Sequence, residues 1–402
     1  MQKLSNVFYL VLIITAALVL RWYFLGFPGF SFDLDQFIKW GNAIRNTGFW
    51  SVYSAQNVSI VDNYPPLIPI ITAWWFSFSQ QLFPMVDLKM AFKILQTIFE
   101  LVLTAITAVY IYRTNIKYKG ALLAVVIIQP AVAFVSSAWG QADVMFTLFL
   151  FLGFLVSQKN LPIATVLMYL AILAKPQAVL GVVIYFLFLI FAKGVKRFFY
   201  QALLFIGLFI ATEALFRIFG HISFFTLLVG AMGFYKNISL NAFNLWWLLH
   251  GAQSWNIQDT ASTAGLTYKS LGLVLFAIFE IPAILYLIYK AKKLPEVLLV
   301  VAYSYLAFFI FPTEIHERYL FPAVALFAIP AILNKGIFWV YLILTVTFLL
   351  NVFAVLQSVY LEFPFLQFNM LPFIWTQLVA AINVLVCVYL GIYLFYETLK
   401  TS

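Results

Sequence analysis

Four places in this chain carry side chains suited to group transfer. Asp33 and Asp35 stand two positions apart, just beyond the first hydrophobic helix. Downstream come Trp139-Gly140-Gln141-Ala142-Asp143, Lys175-Pro176-Gln177 and His316-Glu317-Arg318. A carboxylate within reach of a hydroxyl proton is a general base, an effect of about 10²–10⁴-fold. An arginine fork is the side chain best built to grip a phosphate through two parallel bonds. Acid, amide and cation together are the equipment for moving a group off a phosphate.

Each motif also has a plainer reading. Asp33, with Gln36 three residues on, has the pattern of a helix N-cap and its capping-box partner. Asp35 would then favour the positive end of the same helix. His316-Glu317-Arg318 reads as a solvated turn with snorkelling charge. Three adjacent ionisable groups between long apolar runs are expensive unless paired or used, which favours function there. Lys175 either snorkels or points at an anionic headgroup, and Asp143 is either another helix cap or a functional group, the polar Gln141 nearby favouring function. Glu213 and Arg217, four apart on one helix, are expected to pair with each other. Glu100 and Glu280, in or at the ends of apolar runs, are assigned structural roles.

What must position these groups is a membrane. The chain has 402 residues, 65% of them hydrophobic and only 9% charged. Windows of about 20 apolar residues recur along its length, the span of a bilayer-crossing helix. The runs are continuous rather than alternating, which excludes a β-barrel. The expected fold is therefore all-α and polytopic, a single integral membrane domain over 1–402. Of 23 Lys and Arg, roughly half sit in short loops between apolar runs, the positive-inside pattern. The net charge of +9 thus orients the protein and implies no nucleic acid. One cysteine, Cys387, excludes an internal disulfide. The first run, Val7 to Leu20, has no small-residue cleavage site after it and reads as an uncleaved anchor.

The spacing predicts a first crossing over 6–25, then an outer loop over about 26–66. Within that loop, Leu34, Phe37, Ile38, Gly41 and Ile44 share one helical face and Asp35, Lys39, Asn42 and Arg45 the other. That is an amphipathic helix along the membrane surface. The segment 67–83 is expected to dip into the outer leaflet, since a full crossing would put the basic loop 113–119 outside. Crossings follow at 92–112, 121–138, 142–157, 163–175, 177–192 and 198–219. The pieces 163–175 and 177–192 are short enough to be one broken helix. A second long outer loop covers about 220–267. Crossings over 268–289, 294–311, 319–333, 337–357 and 374–396 bring the total to about twelve, within 11–13. The charged and polar motifs then gather on the outer face.

No metal-ligand spacing is present, and no Gly-rich phosphate loop. No cofactor is expected; a divalent cation at Asp33 and Asp35 is left open. A donor on the outer face must be carried by lipid, because no cytosolic nucleotide site is visible.

Taken in order, the motifs resemble the GT-C superfamily of membrane glycosyltransferases. The nearest likeness is to prokaryotic mannosyltransferases related to the second mannosyltransferase of GPI-anchor synthesis. A more distant one is to the ER glucosyltransferases that extend the dolichol-linked oligosaccharide. The matching residues are Asp33-Leu34 with Trp40 seven positions after Asp33, Tyr64-Pro65-Pro66, Trp139 to Asp143, Lys175-Pro176-Gln177, Asn241 to Trp246, and His316 to Leu320. One departure is clear: the family's Asp-Tyr-Pro-Pro stands here as Asp62-Asn63-Tyr64-Pro65-Pro66, with Asn63 in the acidic position.

The resemblance implies transfer of a hexose, mannose favoured, from a polyprenyl-phosphate donor to a lipid, glycan or other cell-envelope acceptor. The reaction would invert the sugar at the outer face of the cell membrane. Asp33 matches the family's general base, and Asp35 ranks below it. Arg318, His316 and Lys175 would hold the donor phosphate. Glu317, Tyr64, Asp62, Gln141, Asp143, Gln177, Asn241, Asn244 and Trp246 would line the substrate site. The main rival from another class is a transporter or flippase of a lipid-linked saccharide, which would concentrate its polar groups near the membrane midplane. A protein-directed transferase would need a larger outer domain than this chain has.

Overall fold

The computed structural model describes residues 2–61, 64–230, 235–263, 265–359 and 369–400. Asp62 lies outside the described residues. Nearly all of the regular structure is helix; among the described residues the only strand pair is Ser262–Thr263 with Leu266–Thr267, antiparallel. Among the described residues, eight helices are long and apolar enough to cross a membrane. They are Phe8–Leu25, Leu88–Tyr112, Lys119–Trp139, Pro176–Lys193, Val195–Gly220, Tyr268–Tyr289, Lys335–Ser358 and Ile374–Leu399. Three shorter apolar helices, Asp143–Val156, Leu161–Ala174 and Leu294–Ile310, pack among them. The helix Val195–Gly220 turns Phe199, Leu203 and Ile210 outward, each about 60% exposed. Water would not tolerate such a face, and lipid does. The chain is an all-α integral membrane protein.

The expected crossing 319–333 takes another form. It is a 3₁₀ turn Glu317–Leu320, a short helix Phe321–Phe327 and a second 3₁₀ turn Pro330–Ile332. Prolines 322 and 330 interrupt it, and Phe321 to Ala331 are buried throughout. It lies inside the bundle, where neighbouring helices rather than lipid surround the broken backbone.

The pieces 163–175 and 177–192 are two helices. The first is Leu161–Ala174; the chain turns at Lys175, which is extended, and returns as Pro176–Lys193. Thr165 Oγ1 lies 2.8 Å from Tyr185 Oη, across the pair. Asn160, before the first helix, and Lys193, at the end of the second, line one cavity. They form an antiparallel hairpin with Lys175 at its tip.

One ion pair ties the first helix to the bundle. Arg21 donates to both carboxylate oxygens of Glu100, Nε to Oε2 and Nη2 to Oε1, each at 2.6 Å. Arg21 Nη1 donates to the Ala17 and Ile128 carbonyls, and Thr104 Oγ1 donates to Glu100 Oε1. Both side chains are at most 2% exposed. The fork geometry and full satisfaction are what allow two charges to sit inside apolar helices.

The helix Ser31–Thr47 buries Leu34, Phe37, Trp40 and Gly41. Phe37 stacks on Phe92 at 4.5 Å, and Trp40 meets Tyr64 at 4.6 Å. Gly41 has no room for a Cβ, which would come within 2.8 Å of Thr72 and 3.0 Å of Phe76. The expected surface helix thus rests on the helix Leu67–Leu82 as well as on the bundle. Leu67–Leu82 itself, at 16 residues, is not among the helices long enough to cross.

At the other end of the helix Ser31–Thr47, Leu34 is wedged between two glycines of positive φ. A Cβ on Gly29 or on Gly140 would come within 2.6 Å of a Leu34 methyl, and one on Gly140 within 2.9 Å of Lys93. Lys93 Nζ in turn donates to the Leu25 carbonyl at 2.6 Å and to that of Phe27. Gly140→Ala combines a left-handed backbone with overpacking, so a loss of about 1–3 kcal/mol is expected. Thermal unfolding in detergent checks it; an unchanged midpoint would show that Leu34 has other room.

Candidate functional site

The charged motifs converge beside that wedge. Asp33 lies in the first turn of Ser31–Thr47, where the helix dipole favours an anion. It caps nothing: the N-cap residue is Phe30, and Asp33 Oδ2 instead accepts a hydrogen bond from Gln141 Nε2. Gln141 follows Gly140, which ends a π-helical turn over Phe134–Trp139 in a left-handed conformation. Asp143, two residues on, opens the helix Asp143–Val156. Lys175, at the hairpin tip, donates from Nζ to Asp143 Oδ1 at 2.6 Å.

Arg318 sits at the centre. Its Nη1 donates to Glu317 Oε1 at 3.0 Å and lies 4.0 Å from Asp33 Oδ2, while its Nε lies 3.9 Å from Asp143 Oδ2. Among the described residues, the bond to Glu317 is the only one the guanidinium donates, which leaves the rest of its five N–H groups unused. Burial works against the Arg318 charge, but Asp33 and Glu317 outweigh it and hold the group firmly protonated. Burial also opposes the Glu317 charge, yet His316 and Arg318 pull its pKa below the usual carboxylate range. His316 goes the other way: burial and the neighbouring guanidinium depress its pKa, so the ring is neutral at pH 7. Three carboxylates, Asp33, Asp143 and Glu317, thus face one firmly charged guanidinium, Arg318, and the amine of Lys175, whose pKa burial lowers against the opposing pull of Asp143.

The members differ in access. Glu317 is fully buried, Asp143 is 2% exposed and Lys175 8%, whereas Asp33 and Arg318 are 18% and 14% exposed. The back rank holds and the front rank is reachable. Both Gln141 and Arg318 address Asp33 at Oδ2, and among the described residues nothing donates to Oδ1. Tyr64 is close enough to feel Asp143, Arg318 and Asp33, and burial first of all pushes its phenol far up, so it stays neutral. The Tyr319 ring lies under Lys175 Nζ at 5.3 Å, and Gln177 lines a small gap with Asp143 and Tyr319.

No protein-family model matches this chain, and no curated protein does. The site's assignment therefore rests on its own geometry.

Some expected site residues lie elsewhere. Asp35 is 60% exposed and pairs with Lys89 at 3.1 Å, away from the cluster. Helical spacing explains this, since residues two apart point to different sides. Asn241, Asn244 and Trp246 act as scaffold. Asn244 caps the helix Leu245–His250 through Trp246 N and Trp247 N, and Trp246 Nε1 donates to the Phe311 carbonyl at 2.8 Å. The Asn241 carbonyl accepts from Asn351, and Leu240 N donates to the Ile315 carbonyl. This stretch clamps the chain just before His316. A second brace is Lys269, 2.7 Å from Glu314 and 3.7 Å from the buried Asp259.

Sequence reasoning did not find Tyr235 and Phe146. Tyr235 packs edge-on against His316 at 5.0 Å, and Phe146 faces Lys175 at 5.9 Å. A lone aromatic among 19% aromatics has no distinguishing signal. Among the described residues no three His, Cys, Asp or Glu side chains meet closely enough to hold a metal ion.

Proposed function

We propose that this protein transfers a hexose from a polyprenyl-phosphate donor to a hydroxyl of a lipid or glycan acceptor, at the membrane face where Asp33 and Arg318 lie. The observation that carries the reading is their arrangement. One accessible carboxylate with an undonated oxygen stands 4.0 Å from one accessible guanidinium with unused N–H groups. Buried partners fix both.

In the proposed step, Asp33 Oδ1 takes the acceptor's hydroxyl proton as that oxygen attacks the anomeric carbon. The bond from that carbon to the phosphate oxygen breaks with inversion, and polyprenyl phosphate leaves as an anion. Arg318 offers its free N–H groups to the departing phosphate. The leaving group needs no proton, so one carboxylate suffices, unlike glycoside hydrolysis with two. Neutral His316 contributes no charge, so the phosphate-holding role narrows to Arg318 with Lys175 behind it. Mannose as the sugar, an outward orientation, about twelve crossings and the GT-C resemblance belong to this same reading.

The transporter alternative draws on ionisable groups within the helices. The chief pair of that kind, Arg21 and Glu100, has all its hydrogen bonds made and reads as a lock rather than a path.

The test is incubation of the purified protein with radiolabelled polyprenyl-phosphate hexoses and a membrane lipid extract. A labelled product with release of polyprenyl phosphate supports the reading. Labelled donor that crosses a vesicle wall unchanged, with no product, would replace it with transport. In the same assay Arg318→Ala is expected to lower kcat/KM by about 10²–10³-fold, the usual loss of one charge-stabilising donor group. Arg318→Lys should recover only part of it, because an ammonium lacks the fork. Wild-type rates in both would return the cluster to a structural role.

A further inference from the structure

At the opposite end of the helices that carry Asp143 and Lys175 lies a second charged site. Asp143–Val156 and Leu161–Ala174 are each 14 residues, so this end is about 21 Å from the first cluster. A cavity of about 600 Å³ opens there, lined by Lys159, Lys193, Arg197, Asn160, Gln201 and Ser157 among others. The described residues that line it include three cations and no acid. Among the described residues, none of the three makes an ion pair. Lys193 and Arg197, four positions apart in the chain, line the same cavity, so their positive charges bear on each other. A further cation, Lys292, is close by, with its Nζ 3.5 Å from the Phe191 carbonyl.

Scattered basic residues at helix ends need no ligand, since they meet water and headgroups singly. Here the arrangement is concave and built from three segments: the turn 157–160, the end of Pro176–Lys193 and the start of Val195–Gly220. Its floor is fixed. Gln201, 7% exposed, accepts from Thr165 Oγ1 at 2.8 Å, and the 2%-exposed Ser157 donates to the Phe154 carbonyl at 2.7 Å. Asn160 Oδ1 accepts from Ile163 N, so the helix Leu161–Ala174 also turns its positive end toward the cavity. Like charges gathered around one hollow, with amides beside them, cost free energy that an anion among them relieves.

We infer that this cavity is a binding site for a phosphate group at the membrane boundary, held by Lys159, Lys193 and Arg197. A phospholipid headgroup and a free phosphate compound share that chemistry. Basic pockets between membrane helices bind anionic headgroups in the same manner.

The experiment uses the full chain in nanodiscs. One set contains phosphatidylcholine alone and a second adds phosphatidylglycerol; inorganic phosphate is added to the first in a third arm. Lipids retained on the protein are counted by native mass spectrometry, and thermal unfolding is followed in parallel. The wild type is expected to retain phosphatidylglycerol over phosphatidylcholine. Lys193→Gln with Arg197→Gln should weaken that retention by roughly 25-fold, each cation near the surface contributing about fivefold. Lys196→Gln with Lys293→Gln removes the same charge outside the cavity and should leave retention intact. Lys193→Arg with Arg197→Lys, which keeps charge and bulk, should retain the lipid and shows that loss in the Gln pair is not misfolding. If inorganic phosphate alone raises the unfolding temperature of the wild type and not of the cavity variant, the ligand is a free phosphate and the site stands. Equal lipid loss in the two neutralised pairs would overturn the proposal, as would a wild type indifferent to both phosphatidylglycerol and phosphate.

Discussion

Asp33→Asn is expected to cut sugar transfer by about 10²–10⁴-fold, the usual contribution of a general base. The amide is the same size, so the helix Ser31–Thr47 and its wedge at Leu34 stay in place. Gln141 Nε2 keeps an oxygen to donate to, and what disappears is the atom that takes the proton. Asp35→Asn is the internal control. Its carboxylate is 60% exposed on Lys89, and a surface pair of this kind contributes about 0–1 kcal/mol. Transfer should therefore stay near wild type. The measurement is single-turnover product formation at saturating donor, which separates chemistry from binding. Near-normal turnover in Asp33→Asn would remove it as the base. A loss in Asp35→Asn as deep as in Asp33→Asn would mean the accessible acid had been misidentified.

Arg21→Leu is expected to cost about 3–5 kcal/mol of stability, because it strands the Glu100 carboxylate inside apolar helices. Glu100→Leu should cost about as much by stranding the guanidinium. The double variant should recover most of the loss, since two apolar side chains of similar volume replace a satisfied pair at little net cost. Thermal unfolding of all three in one detergent measures it. If the double variant is as unstable as either single one, the pair matters through packing or through its bonds to Ala17 and Ile128, not through stranded charge.

The contrast between these residues shows what could be read in the sequence. Apolar windows located nearly every long helix, since lipid imposes length and composition on each separately. The segment 319–333 escaped that logic because it is packed inside protein, where length is free. Local pattern placed Asp33 on a helix N-terminus and left its side chain open between a cap and a general base. Its true partner, Gln141, is 108 residues away, and no spacing rule reaches that far. For the same reason Glu100 read as structural while its partner Arg21, 79 residues off, went unnoticed. The motif Asn241 to Trp246 was visible as unusual polarity in an apolar chain. Its work is to hold the segment before His316, which becomes evident only once Trp246 is seen on the Phe311 carbonyl. The cavity around Lys193 and Arg197 gave no sign beyond ordinary basic loops, because concavity is a property of three segments meeting.

The shortness of the helices Asp143–Val156 and Leu161–Ala174 has a mechanical consequence for the surrounding bilayer. At about 21 Å each, they fall some 9 Å short of the roughly 30 Å hydrocarbon layer. Ile163 and Val166 on the second helix are open to lipid, so acyl chains must compress or headgroups must sink against that side. The sheet of lipid next to the protein is therefore dimpled rather than flat. Ile163 and Val166 both lie in the first two turns after Asn160, so the dimple falls at the end of that helix where Lys159, Lys193 and Arg197 lie. The elastic energy of the bilayer, set by how long its chains are, becomes part of the energetics of this face of the protein.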